Sequence, residues 1–266
     1  MTNLYFAYCQ GDILLTREGD VPSGQPPIGF QPWEHVTDIT APLPTPPVGR
    51  RVVHIYRLDR PVTDRPDLQM VGLRKSFDIL QPEMYQLAGK CAELLYWDQN
   101  SKYCGCCGAP MRWDTDISKR CTECGKELWP QLQTAIIVRV TKGDEVLLVH
   151  ANNFRGNYYG LVAGFVETGE TLEECVRREV WEETHLRIKD IRYFASQPWP
   201  YPAGLMVGFT AEYESGEIRL QRSELGGGGW FRRDHLPEIP GPVSLARRLI
   251  DDWLNQDGRD VQKTTG

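Results

Sequence analysis

Four cysteines, Cys104, Cys107, Cys121 and Cys124, stand as two pairs with two residues inside each pair, and a glycine, Gly108 or Gly125, follows each second cysteine. A two-residue gap lets one tight knuckle present two thiolates to a tetrahedral ion, and glycine accepts the positive φ that such turns require. Four thiolates fill the coordination sphere of Zn2+ and leave no position for water, so the spacing predicts a structural zinc ribbon, not a reactive metal. A pair of disulfides is the alternative. It is disfavoured because five of the eight cysteines crowd into 21 residues of a chain that opens without a secretory leader pattern. Cys106 lies inside the first knuckle, out of register, and is expected to be a bystander.

A second cluster is made of carboxylates. The stretch from Gly164 to Glu170 leads into a predicted helix over Thr171 to Thr184, opened by a capping box in which Thr171 is followed three residues on by Glu174. At about 100° per residue, Leu172, Cys175 and Val176 define one side of that helix, and Glu179 and Glu183 fall in the same sector. A solvated acidic face would lie opposite the apolar side; these two glutamates turn inward with it. They are one turn apart, where like charges repel, and with Glu182 they crowd a helix C-terminus whose dipole also disfavours anions. That arrangement calls for a cation, and Mg2+ or Mn2+ fits carboxylate oxygens.

Gly164, Glu170, Arg178, Glu179, Val180, Glu182, Glu183 and Leu186 fall at the spacing G-x5-E-x7-R-E-U-x-E-E-x-G-U, where U is apolar. This resembles the signature of the Nudix hydrolases. One fixed position departs: His185 stands where the pattern has the glycine that closes the helix, a place that commonly needs a left-handed conformation. The stretch Ser196-Gln-Pro-Trp-Pro-Tyr-Pro202, followed by Leu205-Met206, resembles the SQPWPFPxS-LM element of the NADH pyrophosphatase subfamily, with Tyr201 for Phe and Gly204 for the final Ser. Tyr85 to Lys90, Lys102 to Gly105, the four cysteines, Trp129-Pro130 and Ala246 to Ile250 extend the resemblance over most of residues 70 to 254.

The resemblance implies an α+β architecture: a Nudix α/β/α sandwich with a mixed sheet, preceded by a Nudix-like N-terminal domain without the box and by a zinc ribbon, assembled as a homodimer. It implies hydrolysis of the pyrophosphate of NADH or NAD+ to NMN(H) and AMP by metal-activated water, and allows removal of NAD caps from RNA 5′ ends, where Arg74 and Lys75 are local bases able to guide a strand. By position, Glu179, Glu183, Glu224 and the Ala163 carbonyl would hold the divalent ions, and Glu182 and Glu183 are both candidates for the general base. Phe165, Gln197, Trp199, Met206, Ala246, Trp129 and Arg74 would line the dinucleotide, the aromatic rings stacking on nicotinamide or adenine. Arg178 and Glu170 are expected to brace the loop and helix. The rival reading is a non-catalytic Nudix sensor of ADP-ribose or NAD with the ribbon as adaptor. His185 and Gly204 speak for it, and the intact glutamate set speaks against it.

The elements that must position these residues follow from periodicity. Residues 4 to 15 read as a hairpin broken at Gly11-Asp12, Val52 to Leu58 as a strand and Met84 to Trp97 as a helix. Thr134 to Val140 and Glu145 to His150 read as a hairpin, Leu205 to Tyr213 as a strand and Pro242 to Leu254 as an amphipathic helix. Eight of nineteen prolines lie between Val21 and Pro47, which reads as loop. Gly226 to Gly229 reads as a plain loop in preference to a mobile flap, and Pro198, Pro200 and Pro202 as stiffeners of the loop that carries Trp199. The expected domains are residues 1–98, the ribbon at 99–129, the catalytic domain at 130–256 and a flexible tail at 257–266. A length of 266 residues suits more than one core, and 41% hydrophobic residues supply them. A net charge of −6 gives no broad basic field for nucleic acid or anionic membranes, and no stretch approaches the roughly 20 apolar residues that span a bilayer. A cytoplasmic, membrane-free protein is the expectation.

Overall fold

The computed structural model describes residues 2–25, 35–37, 51–154 and 156–256. Most of the proline-rich stretch at 21–47 and all of the tail at 257–266 lie outside the described residues. The chain divides into two compact units, Met1–Gln131 with Pro200–Ala203, and Leu132–Trp199 with Gly204–Gly266. The fold is α+β, and no described helix is long and apolar enough to cross a membrane.

In the first unit, β1 (Thr2–Cys9), β2 (Asp12–Thr16), β3 (His35–Thr37), β4 (Arg51–Arg57) and β5 (Leu68–Gly72) form a mixed sheet in the order β3-β4-β1-β2-β5, with β1 and β4 parallel. The β1–β2 turn is Gln10-Gly11, one residue before the expected break, because both residues take the positive φ of a tight two-residue hairpin. Alternation along the strands divides two cores. Leu4, Phe6, Ile13, Leu15 and Ile55 face α1 (Pro82–Asn100), which contributes Ala88, Cys91, Leu94 and Leu95, while Tyr5, Ala7, Leu14 and Tyr56 pack on the other side. Helix α1 is longer than the expected 84–97 because Pro82 serves as its first residue, where a missing N–H costs nothing.

The cysteine insert folds as a three-stranded antiparallel sheet, β6 (Met111–Thr115), β7 (Ser118–Cys121) and β8 (Glu127–Leu128). Its anchor is the buried Lys119. The ammonium lies 2.6 Å from Asp98 Oδ1, donates to the Asp98 and Ser101 carbonyls, and sits over the rings of Trp97 and Trp113. Removing either partner would leave a buried charge uncompensated, at about 3–5 kcal/mol.

The second unit holds a six-stranded sheet, β9 (Gln133–Lys142), β10 (Glu145–Ala151), β11 (Val162–Phe165), β12 (Arg187–Trp199), β13 (Gly204–Ser215) and β14 (Leu225–Arg232). The order is β12-β13-β9-β10-β14, β11 also pairs with β9, and β9 and β13 run parallel. A sheet covered on both faces needs strands that are apolar on both sides, and β9 supplies Ala135-Ile-Ile-Val138. Ile136, Val138, Val140, Leu147 and Val149 pack against α2 (Leu172–Thr184) through Cys175, Val176 and Val180. Ile137, Val146 and Leu148 pack on the opposite face against α3 (Leu245–Leu254) through Leu249, Ile250 and Trp253. Helix α3 starts three residues later than expected because Ser244 caps it, its hydroxyl accepting from the Arg247 N–H.

Two loop expectations fail. Gly226 to Gly229 lie inside β14, paired with Val149, Leu148 and their neighbours. The run is glycine because side chains crowd it: a Cβ on Gly227 would come within 2.7 Å of the Tyr159 hydroxyl, and one on Gly228 within 3.0 Å of Leu220. Gln197, Pro198 and Trp199 likewise belong to β12, paired with Met206, Leu205 and Gly204, so only Pro200 to Ala203 turn. Strand β12 is an edge, where Pro198 lacks no ladder partner.

Candidate active site and cysteine ribbon

Helix α2 is fixed at its start by the expected capping box: the Thr171 hydroxyl accepts from the Glu174 N–H, and the Glu174 carboxylate accepts from the Thr171 N–H at 2.7 Å. Two turns on, the inward face turns acidic as the periodicity predicts, with Glu179 and Glu183 buried at 9% and 5% exposure and Glu182 left outside.

Arg178 holds this region together. Its guanidinium donates to both oxygens of Glu170 (2.6 and 3.0 Å), to Glu179 Oε1 (2.8 Å), to Glu182 Oε2 (3.0 Å) and to the Phe165 carbonyl (2.9 Å). Glu170 also accepts from the Glu167 N–H, and the Arg178 bonds hold its carboxyl down at about 2. Bracing by Arg178 and Glu170 is therefore what the geometry shows. Burial pushes the Glu179 carboxyl up, with Arg178 opposing the rise. Among the described residues, no ion pair is made by Glu183. Burial, then the charges of Glu179, Glu224 and Glu182, push its carboxyl up to about 8, and its Oε2 is buried without a hydrogen-bond partner.

The surrounding backbone is cut to fit. Gly164 in β11 lies so close to Glu179 that a Cβ there would overlap the carboxylate, which explains glycine at a position whose φ is ordinary. Ala163 is its half-buried neighbour, paired with Ile137. Glu224 is exposed at the end of the segment following β13; its carboxylate accepts from Gln221 Nε2 at 3.1 Å, and its carbonyl accepts from the Asn152 N–H at 2.7 Å. His185 takes the left-handed conformation at φ 59°, ψ 24°, as expected of the residue closing the helix.

The residues expected around a dinucleotide fall into groups. Phe165, Ala135, Met206 and Gln197 form one row across β11, β9, β13 and β12, on one sheet face. Phe165 is 62% exposed, so it is not a core ring; Met206 packs with the cluster containing Ala246; and Gln197 donates to the Val243 carbonyl while its Oε1 is buried without a partner. Trp199, half-buried, is two pairs further along at Gly204. Arg74 and Trp129 belong to the first unit, both exposed. Gln221, Asn152 and the brace on the Phe165 carbonyl were not foreseen, and only their tertiary partners reveal them.

In the ribbon, all four thiols converge. The ligand atoms of Cys104, Cys107, Cys121 and Cys124 lie within 4.8 Å of one another, as donors to one ion would, and no disulfide joins them. Gly108 and Gly125 take φ of 76° and 72°, as the knuckles require. Backbone N–H groups of Cys124 and Glu123 aimed at the sulfur lower the Cys121 thiol to about 6, and those of Cys107 and Cys106 lower Cys104. Cys107 and Cys124 shift the other way, Cys124 up to about 12: the backbone N–H groups of Ala109 and Lys126 favour their thiolates, but hydrogen bonds with the neighbouring thiols outweigh them. Two thiolates of the four are thus favoured before any ion is added. Cys106 is exposed and outside the cluster.

A NUDIX domain model matches residues 130–253. Among curated relatives, the NAD-capped RNA hydrolase NudC of Pectobacterium carotovorum is 45% identical over 189 residues, covering 71% of this chain and 72% of the relative. The NAD-capped RNA hydrolase NudC of Deinococcus radiodurans is 36% identical over 264 residues, covering 94% and 87%. A solved NUDIX hydrolase from Nitrosomonas europaea shares the fold, with a TM-score of 0.51 at 21% identity over 59% of this chain and 93% of that one. The box residues and these matches agree, and the chain belongs to the Nudix hydrolase family, in the NudC group of its relatives.

Proposed function

We propose that this enzyme hydrolyses the pyrophosphate bond of nicotinamide dinucleotides, releasing NMN(H) and AMP from NADH or NAD+, and removes NAD caps from RNA 5′ ends. The observation that carries the reading is Glu183, a buried carboxylate with an orphaned oxygen and three acidic neighbours, Glu179, Glu182 and Glu224. A sensor has no use for that concentration of carboxylates around one buried glutamate, whereas a hydrolase does, so the non-catalytic alternative is not favoured.

The donor set suits a hard divalent cation, Mg2+ or Mn2+, held by Glu179, Glu183, Glu224 and the Ala163 carbonyl: all are oxygens, and the orphaned Glu183 oxygen gains a partner. Bound there, such an ion supplies positive charge against the pyrophosphate and makes water more acidic. Glu182 or Glu183 accepts the proton of the attacking water, one P–O bond to the bridging oxygen breaks, and that oxygen leaves with the second phosphate. Arg178 opposes the effect of burial on Glu179 and fixes the Phe165 carbonyl. The row of Phe165, Met206 and Gln197, with Trp199 and Ala246, lines the dinucleotide, Phe165 and Trp199 offering ring faces; Trp129 and Arg74 of the first unit are further candidates by family resemblance alone. The four cysteines hold Zn2+, whose tetrahedral preference their convergence suits.

The residue ranges 1–98, 99–129, 130–256 and 257–266 remain the proposed domain organisation, with a homodimeric, cytoplasmic enzyme; eight unpaired thiols suit a reducing compartment. The test is chromatographic product analysis of NADH, NAD+, ADP-ribose and NAD-capped RNA with Mg2+ or Mn2+, with Glu183→Gln as control. NMNH and AMP from NADH, absent in the variant, are expected. Binding of ADP-ribose with every substrate left intact would return the sensor reading.

A further inference from the structure

The family pattern has glycine where this chain has His185, and the structure gives the imidazole a task that glycine cannot perform. Helix α2 ends at Thr184, and the segment between β13 and β14, residues 216–224, passes across that end before delivering Glu224. Three bonds hold it there. The Arg219 N–H donates to the Thr184 carbonyl and the Gln221 N–H to the Glu183 carbonyl, both at 2.9 Å, and His185 Nδ1 lies 3.0 Å from the Arg219 carbonyl. A carbonyl only accepts, so the imidazole N–H is the donor.

The approach is close. Gly216 takes φ +106°, and a Cβ there would come within 2.7 Å of the His185 carbonyl, so the segment enters against the very residue that binds it again at Arg219. The imidazole also packs against Trp181, whose ring centroid is 5.2 Å away. Beyond the latch the segment is turned by Glu224 N–H and Leu225 N–H bonds to the Gln221 carbonyl and tied to the sheet by Asn152, which donates to the Arg222 and Ser223 carbonyls. His185 thus binds the helix end that carries Glu183 to the segment that carries Glu224.

We propose that His185 is a positioning residue: its side chain latches residues 216–224 to the end of α2 and so fixes Glu224 opposite Glu183. This rests on the reading that Glu224 belongs to the cation-binding set. The left-handed backbone at 185 is one that glycine adopts without strain, so His185→Gly removes the latch while relaxing the turn. Asparagine tolerates the same conformation and carries an amide donor, so His185→Asn retains the chemistry of the latch.

The full chain is titrated with Mn2+, following thermal unfolding as the readout, and amide hydrogen exchange of residues 216–224 is measured without added Mn2+. His185→Gly should unfold at an unchanged or higher temperature without Mn2+, yet need about fivefold more Mn2+ for half the stabilising shift, as expected for one lost hydrogen bond. Exchange across 219–224 should accelerate by a similar factor, and His185→Asn should restore both values. Wild-type exchange and wild-type Mn2+ dependence in His185→Gly would overturn the latch. Glu224→Gln separates the two ideas: if it weakens Mn2+ binding and His185→Gly does not, the latch alone falls. If it leaves Mn2+ binding unchanged, the cation set is wrong, and the exchange rates alone decide the latch.

Discussion

The ribbon and the glutamate cluster are both built to meet a cation, and they do so in opposite ways. Among the described residues, the four cysteines are the only group of three or more His, Cys, Asp or Glu whose ligand atoms all lie within 4.8 Å. They come from two short knuckles, and backbone N–H groups already favour the thiolates of Cys121 and Cys104, one from each knuckle. The glutamates come from one helix and a distant segment and are spread more widely. Burial and the neighbouring carboxylates disfavour the charged forms of Glu183 and Glu179. A closed set of donors stores its energy in the fold; an open set of frustrated anions keeps room and charge for a ligand that comes and goes.

The largest expected effect lies on the closed side. Cys121→Ser, or a chelator strong enough to remove zinc, should unravel β6 to β8, because structural zinc in small domains contributes on the order of 10 kcal/mol of folding free energy. Trp113 lies in β6 and packs edge-on against Trp97, so near-ultraviolet dichroism should report the loss. If the dichroism and the zinc content are both unaffected by Cys121→Ser, the convergence of the four thiols is not a zinc site.

The open side predicts an effect of opposite sign. Folded Glu183 keeps its proton to about pH 8, whereas an unfolded glutamate loses it near roughly 4.3. Between those values the folded state binds more protons than the unfolded one, so this group makes stability fall as pH rises through that window. Without added Mg2+ or Mn2+, Glu183→Gln should therefore be more stable than the parent above pH 8, by up to a few kcal/mol, with the advantage fading below about pH 4. Thermal melts across that range test it, and a variant less stable than the parent at every pH would show that Glu183 is paired in the folded protein.

The same contrast governs what could be read without a structure. Ligands close together in sequence are legible, because a two-residue knuckle or a helical turn is local geometry: the cysteine set, the capping box and the inward turn of Glu179 and Glu183 all stand as expected. Glu224 came from family resemblance and not from spacing, since 41 residues separate it from Glu183. The row through Phe165, Ala135, Met206 and Gln197 depends on the register of four strands, which no local pattern encodes. Gly226 to Gly229 misled because a strand is read from alternating side chains, and glycine has none to alternate. Asn152 and Gly216 carried no signal, as their work is done on a segment about 70 residues away in one case and on the His185 carbonyl in the other.

A smaller effect tests the brace between the regions of the active site. Lysine in place of Arg178 keeps the charge but lacks the planar fork that binds Glu170 through two bonds and also reaches Glu179, Glu182 and the Phe165 carbonyl. Arg178→Lys should cost about 1–3 kcal/mol in chemical denaturation and raise the Glu170 carboxyl from its depressed value. An unchanged midpoint would mean that the five bonds are replaced by water at no cost.

The smallest expected effect asks whether the glycines of β14 are there for space alone. At Gly227 an added methyl would meet Tyr159 Oη at 2.7 Å, a distance that real Cβ contacts essentially never show. The Tyr159 ring is wedged against Phe231 at 5.4 Å and tilted toward His150 at 5.6 Å, so it has little freedom to retreat. Gly227→Ala should cost about 1–2 kcal/mol through overpacking. If the hydroxyl is the obstacle, Tyr159→Phe should recover most of that loss in the double variant, giving a coupling energy of about 1 kcal/mol in a thermodynamic cycle. Additive costs would place the demand for glycine in the backbone of β14 and not in the contact with Tyr159.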